Sequence, residues 1–146
     1  MASQVKPIPD GFHTVTPYLV VPGVARLIDF LKQAFDATEV SRHALPDGTV
    51  SHAELRIGDS RIMMGDSQGE HKPMPAMMYL YLHDVDTAYR RAIQAGATSL
   101  QEPANQFYGD RNCGVEDPSG NQWWIATHVE DVPPEELKKR AEAAKH

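Results

Sequence analysis

The stretch YLYLHDVDTAYRRAIQAGAT, residues 79–98, decides the fold because it repeats a pattern already present in YLVVPGVARLIDFLKQAFDAT, residues 18–38. Each begins with a short apolar run opening Tyr-Leu, passes into a stripe that starts at Val24 or Val85, and leaves through Ala37-Thr38 or Ala97-Thr98. In the first copy Val24, Leu27, Ile28, Leu31 and Phe35 share one face at helical spacing. In the second, Val85, Ala88, Tyr89, Ala92 and Ile93 form the stripe, Asp84 is a natural N-cap and Gly96 closes the helix. The two registers lie about 60 residues apart, with one residue of slippage inside the helix, and self-similarity at such a spacing marks two copies of one supersecondary unit.

Strand signals surround the first helix. Thr14 to Val21 are mostly β-branched or apolar, and after the helix come Thr38 to Ala44, Thr49 to Ile57 and Arg61 to Gly65. Pro46-Asp47-Gly48 and Gly58-Asp59-Ser60 supply the turns between them. Residues 98–128, with the turn Asp117-Pro118-Ser119-Gly120, are expected to give three more strands. The fold class is therefore α+β: two βαβββ units over about 12–67 and 76–130, each too small to bury its own apolar face, within one domain spanning 1–146. Residues 1–11 read as a tail, and Gln68 to Pro75 as the joint. Pro133-Pro134-Glu135-Glu136-Leu137 opens a mostly solvated C-terminal helix over about 133–145, acidic at its start and basic later as the helix dipole prefers.

Composition narrows the function classes. With 146 residues, 41% hydrophobic and 23% charged, the chain suits one globular domain. A net charge of -6 without a basic stripe argues against phosphate backbones, so no nucleic-acid partner is expected. The lone Cys113 permits neither an internal disulfide nor a multi-cysteine zinc site, in keeping with a reducing compartment. No apolar run approaches the roughly 18 residues of a membrane span, and the first residues lack the order of a signal peptide. We expect a cytoplasmic protein without a membrane partner.

The duplicated unit, its closing Asp117-Pro118-Ser119-Gly120 turn and the stretch His52-Ala53-Glu54-Leu55-Arg56-Ile57-Gly58 together resemble the vicinal oxygen chelate superfamily. That group includes glyoxalase I, bleomycin-resistance proteins and extradiol dioxygenases. The closer likeness is to its PhnB-like branch, carried by His13-Thr14-Val15-Thr16-Pro17-Tyr18-Leu19, Ile62-Met63-Met64, Gln106-Phe107-Tyr108-Gly109-Asp110-Arg111 and Ile125-Ala126-Thr127-His128-Val129-Glu130-Asp131. The resemblance spans about residues 12–137. It implies two curved mixed sheets, a cavity on the concave side of each, helices on the convex side, and a homodimer.

Metal-using members present His or Glu from the first and last strands of each half. Mapped by helix and turn landmarks, those positions here are Thr16, Met63 or Met64, Met77 (Tyr79 if the strand slips by two) and Trp124. None is a good ligand for a hard or borderline divalent ion, so no metal or other cofactor is expected. His128 shares a strand face with Trp124 but stands roughly 13 Å further along. His52 and Glu54 are the remaining His/Glu pair with ligand-like spacing; Ala53, Leu55 and Ile57 face the helix by strand parity, so His52, Glu54 and Arg56 face the cavity or solvent. His13 lies at the entrance of the first strand, and His43, His71, His83 and His146 fall in turns, loops or the tail.

Trp123 and Ile125 alternate onto the helix-packed face as core, which turns Trp124 to the opposite side as a pocket wall. Tyr18, Met63, Met77, Tyr79 and Tyr81 should share that side, an adaptable thioether and aromatic lining suited to a small molecule. In the loop Phe107-Tyr108-Gly109-Asp110-Arg111, Tyr108 is placed to stack on a ring and Arg111 to grip an anionic group bidentately, unless Asp110 and Arg111 only solvate the loop. Cys113 reads as a small hydrophobe. The expected ligand-binding set is Tyr18, His52, Glu54, Met63, Met77, Tyr79, Tyr108, Arg111 and Trp124. The expected function is binding of a small, partly aromatic or anionic molecule by a member with a degenerate metal site. One alternative is a divalent-metal enzyme, a glyoxalase I-like lyase or extradiol dioxygenase-like, with His52 and Glu54 as ligands. Another is a ligand-free interaction module built on dimer surfaces and the C-terminal helix.

Overall fold

A computed structural model describes residues 5–68 and 72–144. In chain order the elements are β1 (Tyr18–Val21), α1 (Val24–Phe35), β2 (Thr38–Ala44), β3 (Val50–Ile57), β4 (Ser60–Asp66), β5 (Met77–Tyr81), α2 (Val85–Gln94), β6 (Thr98–Asn105), β7 (Asp110–Glu116), β8 (Gln122–His128) and α3 (Pro134–Ala144). They form two compact units that divide after Pro75. The first sheet has strand order β1-β4-β3-β2 and the second β5-β8-β7-β6, so each unit is a βαβββ motif. In both, the first strand pairs in parallel with the last, and the remaining pairs are antiparallel. The joint expected at Gln68 to Pro75 includes residues 69–71, which lie outside the described residues, as does His71.

In the first unit, α1 buries Val24, Leu27, Ile28, Phe30, Leu31, Ala34 and Phe35. Beneath them are Ala53, Leu55 and Ile57 of β3 and Ile62 and Met64 of β4. Gly23, at φ 75°, gives α1 no side-chain cap; Asp66, at the end of β4, accepts from the Gly23 and Val24 amides instead, at 2.8 and 3.2 Å. In the second unit Asp84 caps α2 through the Thr87 amide, while Thr127 of β8 accepts from the Val85 amide and donates to the Leu82 carbonyl. The strand carrying a site residue thus also sets where the helix begins. Trp123 is buried, its Nε1 donating to Asp117 at 2.7 Å, which ties the closing turn to the core.

Two local expectations change. β1 starts at Tyr18 rather than Thr14, because pairing with β4 begins at Tyr18↔Met63 and the last upstream link is the Met63 amide donating to the Pro17 carbonyl. The α2 stripe is narrower than its periodicity suggests: Val85, Ala88 and Ala92 are buried, Ile93 is exposed, and Tyr89 is half-buried with its hydroxyl donating to Ser99. Small alanines bring this helix close to its sheet, which leaves the larger side chains at the edge of the contact.

Candidate functional site

Each sheet has one face under its helix and one free of it. On the helix-free face of the first sheet, cross-strand register lines up Tyr18, Met63 and Glu54. In the second sheet the same row is Tyr79, Trp124 and Gly114. Met64, the other expectation for the β4 position, is fully buried on the helix side.

The first-unit row is internally engaged. Glu54 pairs with Arg61 of β4 in a half-buried ion pair, and the Arg61 guanidinium lies 5.5 Å from the Phe12 ring. His52 Nδ1 lies 3.3 Å from the Tyr18 hydroxyl. The segment from Pro7 to Thr16 passes over this end of the sheet, framing a cleft of about 320 Å³ with Met63 and including His13. Tyr18, His52, Glu54 and Met63 are therefore brought onto one face, where the Glu54 carboxylate is neutralised and Phe12 covers its partner.

The second-unit face is organised differently. Trp124 lies flat on Gly114: a Cβ placed there would stand 2.8 Å from three indole carbons. Its Nε1 donates to Gln122 at 3.2 Å. One step along the strands, Asn112 is 3% exposed, and at the start of β7 Asp110 is 4% exposed. Asp110 accepts from the hydroxyls of Tyr79 (2.8 Å) and Tyr81 (3.0 Å) on one oxygen and meets His128 Nδ1 at 2.9 Å on the other. Asn112 donates through Nδ2 to the hydroxyls of Tyr79 (3.1 Å) and Tyr108 (2.7 Å). Three tyrosine hydroxyls thus converge on two buried side chains, while the residues themselves remain 44%, 64% and 38% exposed at Tyr79, Tyr81 and Tyr108.

Electrostatics maintains the arrangement. Desolvation works to raise the Asp110 carboxyl, but the hydrogen bonds from His128, Tyr79 and Tyr81 outweigh it and hold it below its ordinary value. His128 is raised, first by Asp110 and next by Asp131, whose carboxylate meets Nε2 at 2.7 Å. Desolvation of its hydroxyl end raises Tyr79, with Asn112 opposing and Asp110 adding to the shift. Tyr81 is raised chiefly by its bond to Asp110.

The loop bearing Tyr108 is fixed from below. Gly109, at φ 102°, brings its backbone so near the Glu130 carbonyl that a side chain would overlap it, and its own carbonyl accepts from the Val129 and Glu130 amides. Arg140 of α3 donates to the Phe107 carbonyl and to both Glu130 carboxylate oxygens. No residue of α3 is buried, so it holds on by polar contacts.

Tyr79, Tyr108 and Trp124 therefore share one face, with Met77 exposed at the far end of β5. Arg111 does not join them. It points to α2, where Nε and Nη2 each donate to Asp86 at 2.9 Å. Asp110, Asn112 and His128 are the residues sequence reasoning missed. Cys113 and Val115 are apolar and buried on the helix side, and strand alternation from them would have turned Asn112 to the opposite face. Cys113 itself is desolvated, which pushes its thiol up to about 11 and leaves it protonated.

The sequence matches the family model of the Glyoxalase/Bleomycin resistance protein/Dioxygenase superfamily over residues 11–125. The chain belongs to that superfamily. An uncharacterised protein of Mycobacterium bovis is 36% identical over 149 residues, covering 94% of each chain. Among solved structures, TioX from Micromonospora sp. ML1 has a TM-score of 0.68 at 24% identity, over 80% of this chain and 99% of that one. A PhnB protein from Bacillus cereus has a TM-score of 0.60 at 19% identity, over 79% and 99%. Both structural likenesses speak to the fold alone, and the second agrees with the PhnB-like resemblance. Among the described residues no helix is long and apolar enough to cross a membrane.

Proposed function

We propose that this superfamily member binds a small, partly aromatic molecule on the helix-free face of its second unit and does so without a divalent ion. The observation that carries the reading is the set of exposed rings, Tyr79, Tyr81 and Tyr108, whose hydroxyls are anchored on the buried Asp110 and Asn112. Folding gains little from exposed rings. A ligand gains from them, because their orientation is set before it arrives and less side-chain entropy is lost on binding.

The donor chemistry does not fit the divalent ion that metal-using relatives hold. Tyr18, Met63 and an arginine-paired Glu54 form one row, and Tyr79, Trp124 and Gly114 the other. Phenols, a thioether and an indole are poor substitutes for imidazole or free carboxylate. Among the described residues no three His, Cys, Asp or Glu side chains are grouped to hold an ion. The anionic ligand expected from the sequence depended on Arg111, which Asp86 occupies.

The test is fragment screening by NMR with a panel of planar aromatic compounds. Hits are expected to shift Tyr79, Tyr81 and Trp124 signals and to weaken in Trp124→Ala while its fold is retained. A panel that perturbs no signal on this face, or hits indifferent to Trp124→Ala, overturns the proposal. A parallel check loads the protein with zinc, nickel, manganese or ferrous iron and desalts it. Near-stoichiometric retention that is lost in His52→Ala or Glu54→Ala would restore the metal-enzyme reading.

A further inference from the structure

The hydrogen-bond polarity of the three tyrosine hydroxyls is dictated by what lies beneath them. Gln101 Nε2 donates at once to the backbone carbonyl of Asn112 and to its side-chain Oδ1. A carbonyl only accepts, so the Gln101 amide has one orientation; the Asn112 oxygen must face it, and the Asn112 NH2 must face the tyrosines. Tyr79 and Tyr108 therefore accept from Asn112. Asp110 is held as a carboxylate by His128, so Tyr79 and Tyr81 donate to it. Tyr79 is satisfied in both senses. Tyr81 directs its hydroxyl proton into the hydrogen bond to Asp110 and turns only lone pairs outward. Tyr108 has accepted below and keeps its proton, which meets no acceptor among the described residues.

Charge on this face points the same way. Arg111 points away to α2, donating to Asp86 through Nε and Nη2 and to Asn105 through Nη1, Arg140 is bound to Glu130 and Glu136, and the ring nitrogens of His128 both face carboxylates. An incoming anion would meet the Tyr108 hydroxyl, the Gln122 amide NH2 whose oxygen already accepts from the Trp124 indole, and the Asp110 carboxylate behind the rings. A carboxylate or phosphate leaving water is best compensated by an unpaired cation, and among the described residues of this face His128 is held between Asp110 and Asp131 and no unpaired cation stands beside the tyrosines.

We infer that the second-unit face selects an uncharged planar aromatic molecule that carries a hydrogen-bond acceptor at its edge, received by the Tyr108 hydroxyl, and that it discriminates against anions of the same shape. This rests on the binding function proposed above and narrows its ligand class. Tyr79, Tyr81 and Trp124 supply the apolar contact, and Asp110 and Asn112 set the polarity.

The probes are 2-naphthamide, 2-naphthoate and 2-methylnaphthalene, which share one ring system and differ at one edge: neutral acceptor, anion, or no polar group. Affinities are read by NMR titration on the intact chain and on Tyr108→Phe, whose fold is verified by its near-ultraviolet dichroism. We expect 2-naphthamide to bind at least about tenfold tighter than 2-naphthoate. Tyr108→Phe should weaken the amide about five- to tenfold and leave 2-methylnaphthalene unchanged. Equal or tighter binding of 2-naphthoate, or an amide affinity insensitive to Tyr108→Phe, overturns the inference while small-molecule binding stands. If none of the three binds on this face, the inference and the binding function fall together.

Discussion

Replacing Gly114 by alanine asks whether Trp124 truly rests on the strand. Gly114 lies in the middle of β7, outside the set of glycines with positive φ, so its backbone accepts an L side chain without torsional strain. The obstacle is steric: a Cβ would stand 2.8 Å from Cη2, Cζ2 and Cζ3 of Trp124. Relief requires the indole to lift, since Gly114 is pinned between β6 and β8. Overpacking of this kind costs about 1–3 kcal/mol. Lifting the ring gives a similar figure, because re-exposing about 100 Å² of an aromatic contact at about 25 cal/mol per Å² loses about 2.5 kcal/mol. Against this, alanine restricts the unfolded chain and restores about 0.4–1 kcal/mol. The net expectation is a loss of about 1–2 kcal/mol, or about 2–8 °C in Tm for a chain of this size. Urea unfolding followed by tryptophan fluorescence measures it, and the cycle with Trp124→Ala isolates the contact. Once the indole is absent the penalty should vanish. A neutral or stabilising Gly114→Ala, or the same cost in the Trp124→Ala background, would refute the packing described here.

Three further outcomes follow from the second unit's polar contacts. His128 is raised by Asp110 and Asp131, so its protonation favours the folded chain; that contribution is full below the ordinary value near 6.5 and is lost as pH rises through the higher folded value. NMR titration of Asp110→Asn should find the imidazole moved back down, and an unmoved titration would contradict the pairing. Arg140→Ala should speed hydrogen exchange at the Val129 and Glu130 amides, which donate to Gly109, while α2 is unaffected; protection unchanged at those two amides would mean that α3 does not hold the aromatic loop. With its thiol near 11 and buried, Cys113 should react with iodoacetamide at pH 8 more than about a hundredfold more slowly in the native chain than in guanidinium, and comparable rates would disprove its burial.

Local pattern alone carried much of this molecule. The helix stripe from Val24 to Phe35, the alternation of Ala53, Leu55 and Ile57, and the Trp123/Trp124 split are properties of neighbouring residues, and all emerged on the faces expected. Periods of 3.6 and 2 report which side of an element is apolar, and burying that side accounts for the rest. The repeat supplied the topology, because two copies of one pattern fold into two copies of one motif.

The polar chemistry of the site belonged to tertiary structure. Asp110 and Arg111 are sequence neighbours read as parts of one loop, with Arg111 expected to grip an anion, yet β7 begins at Asp110, and strand alternation then sends the two to opposite faces. Asp110 is buried because Tyr79 and Tyr81, from a strand two positions away in the sheet, close over it, and His128 comes from the strand between. No periodicity encodes such partners. A buried carboxylate or amide is tolerable only once distant donors and acceptors have been brought to it, and it is the register of β5, β8 and β7 that brings them.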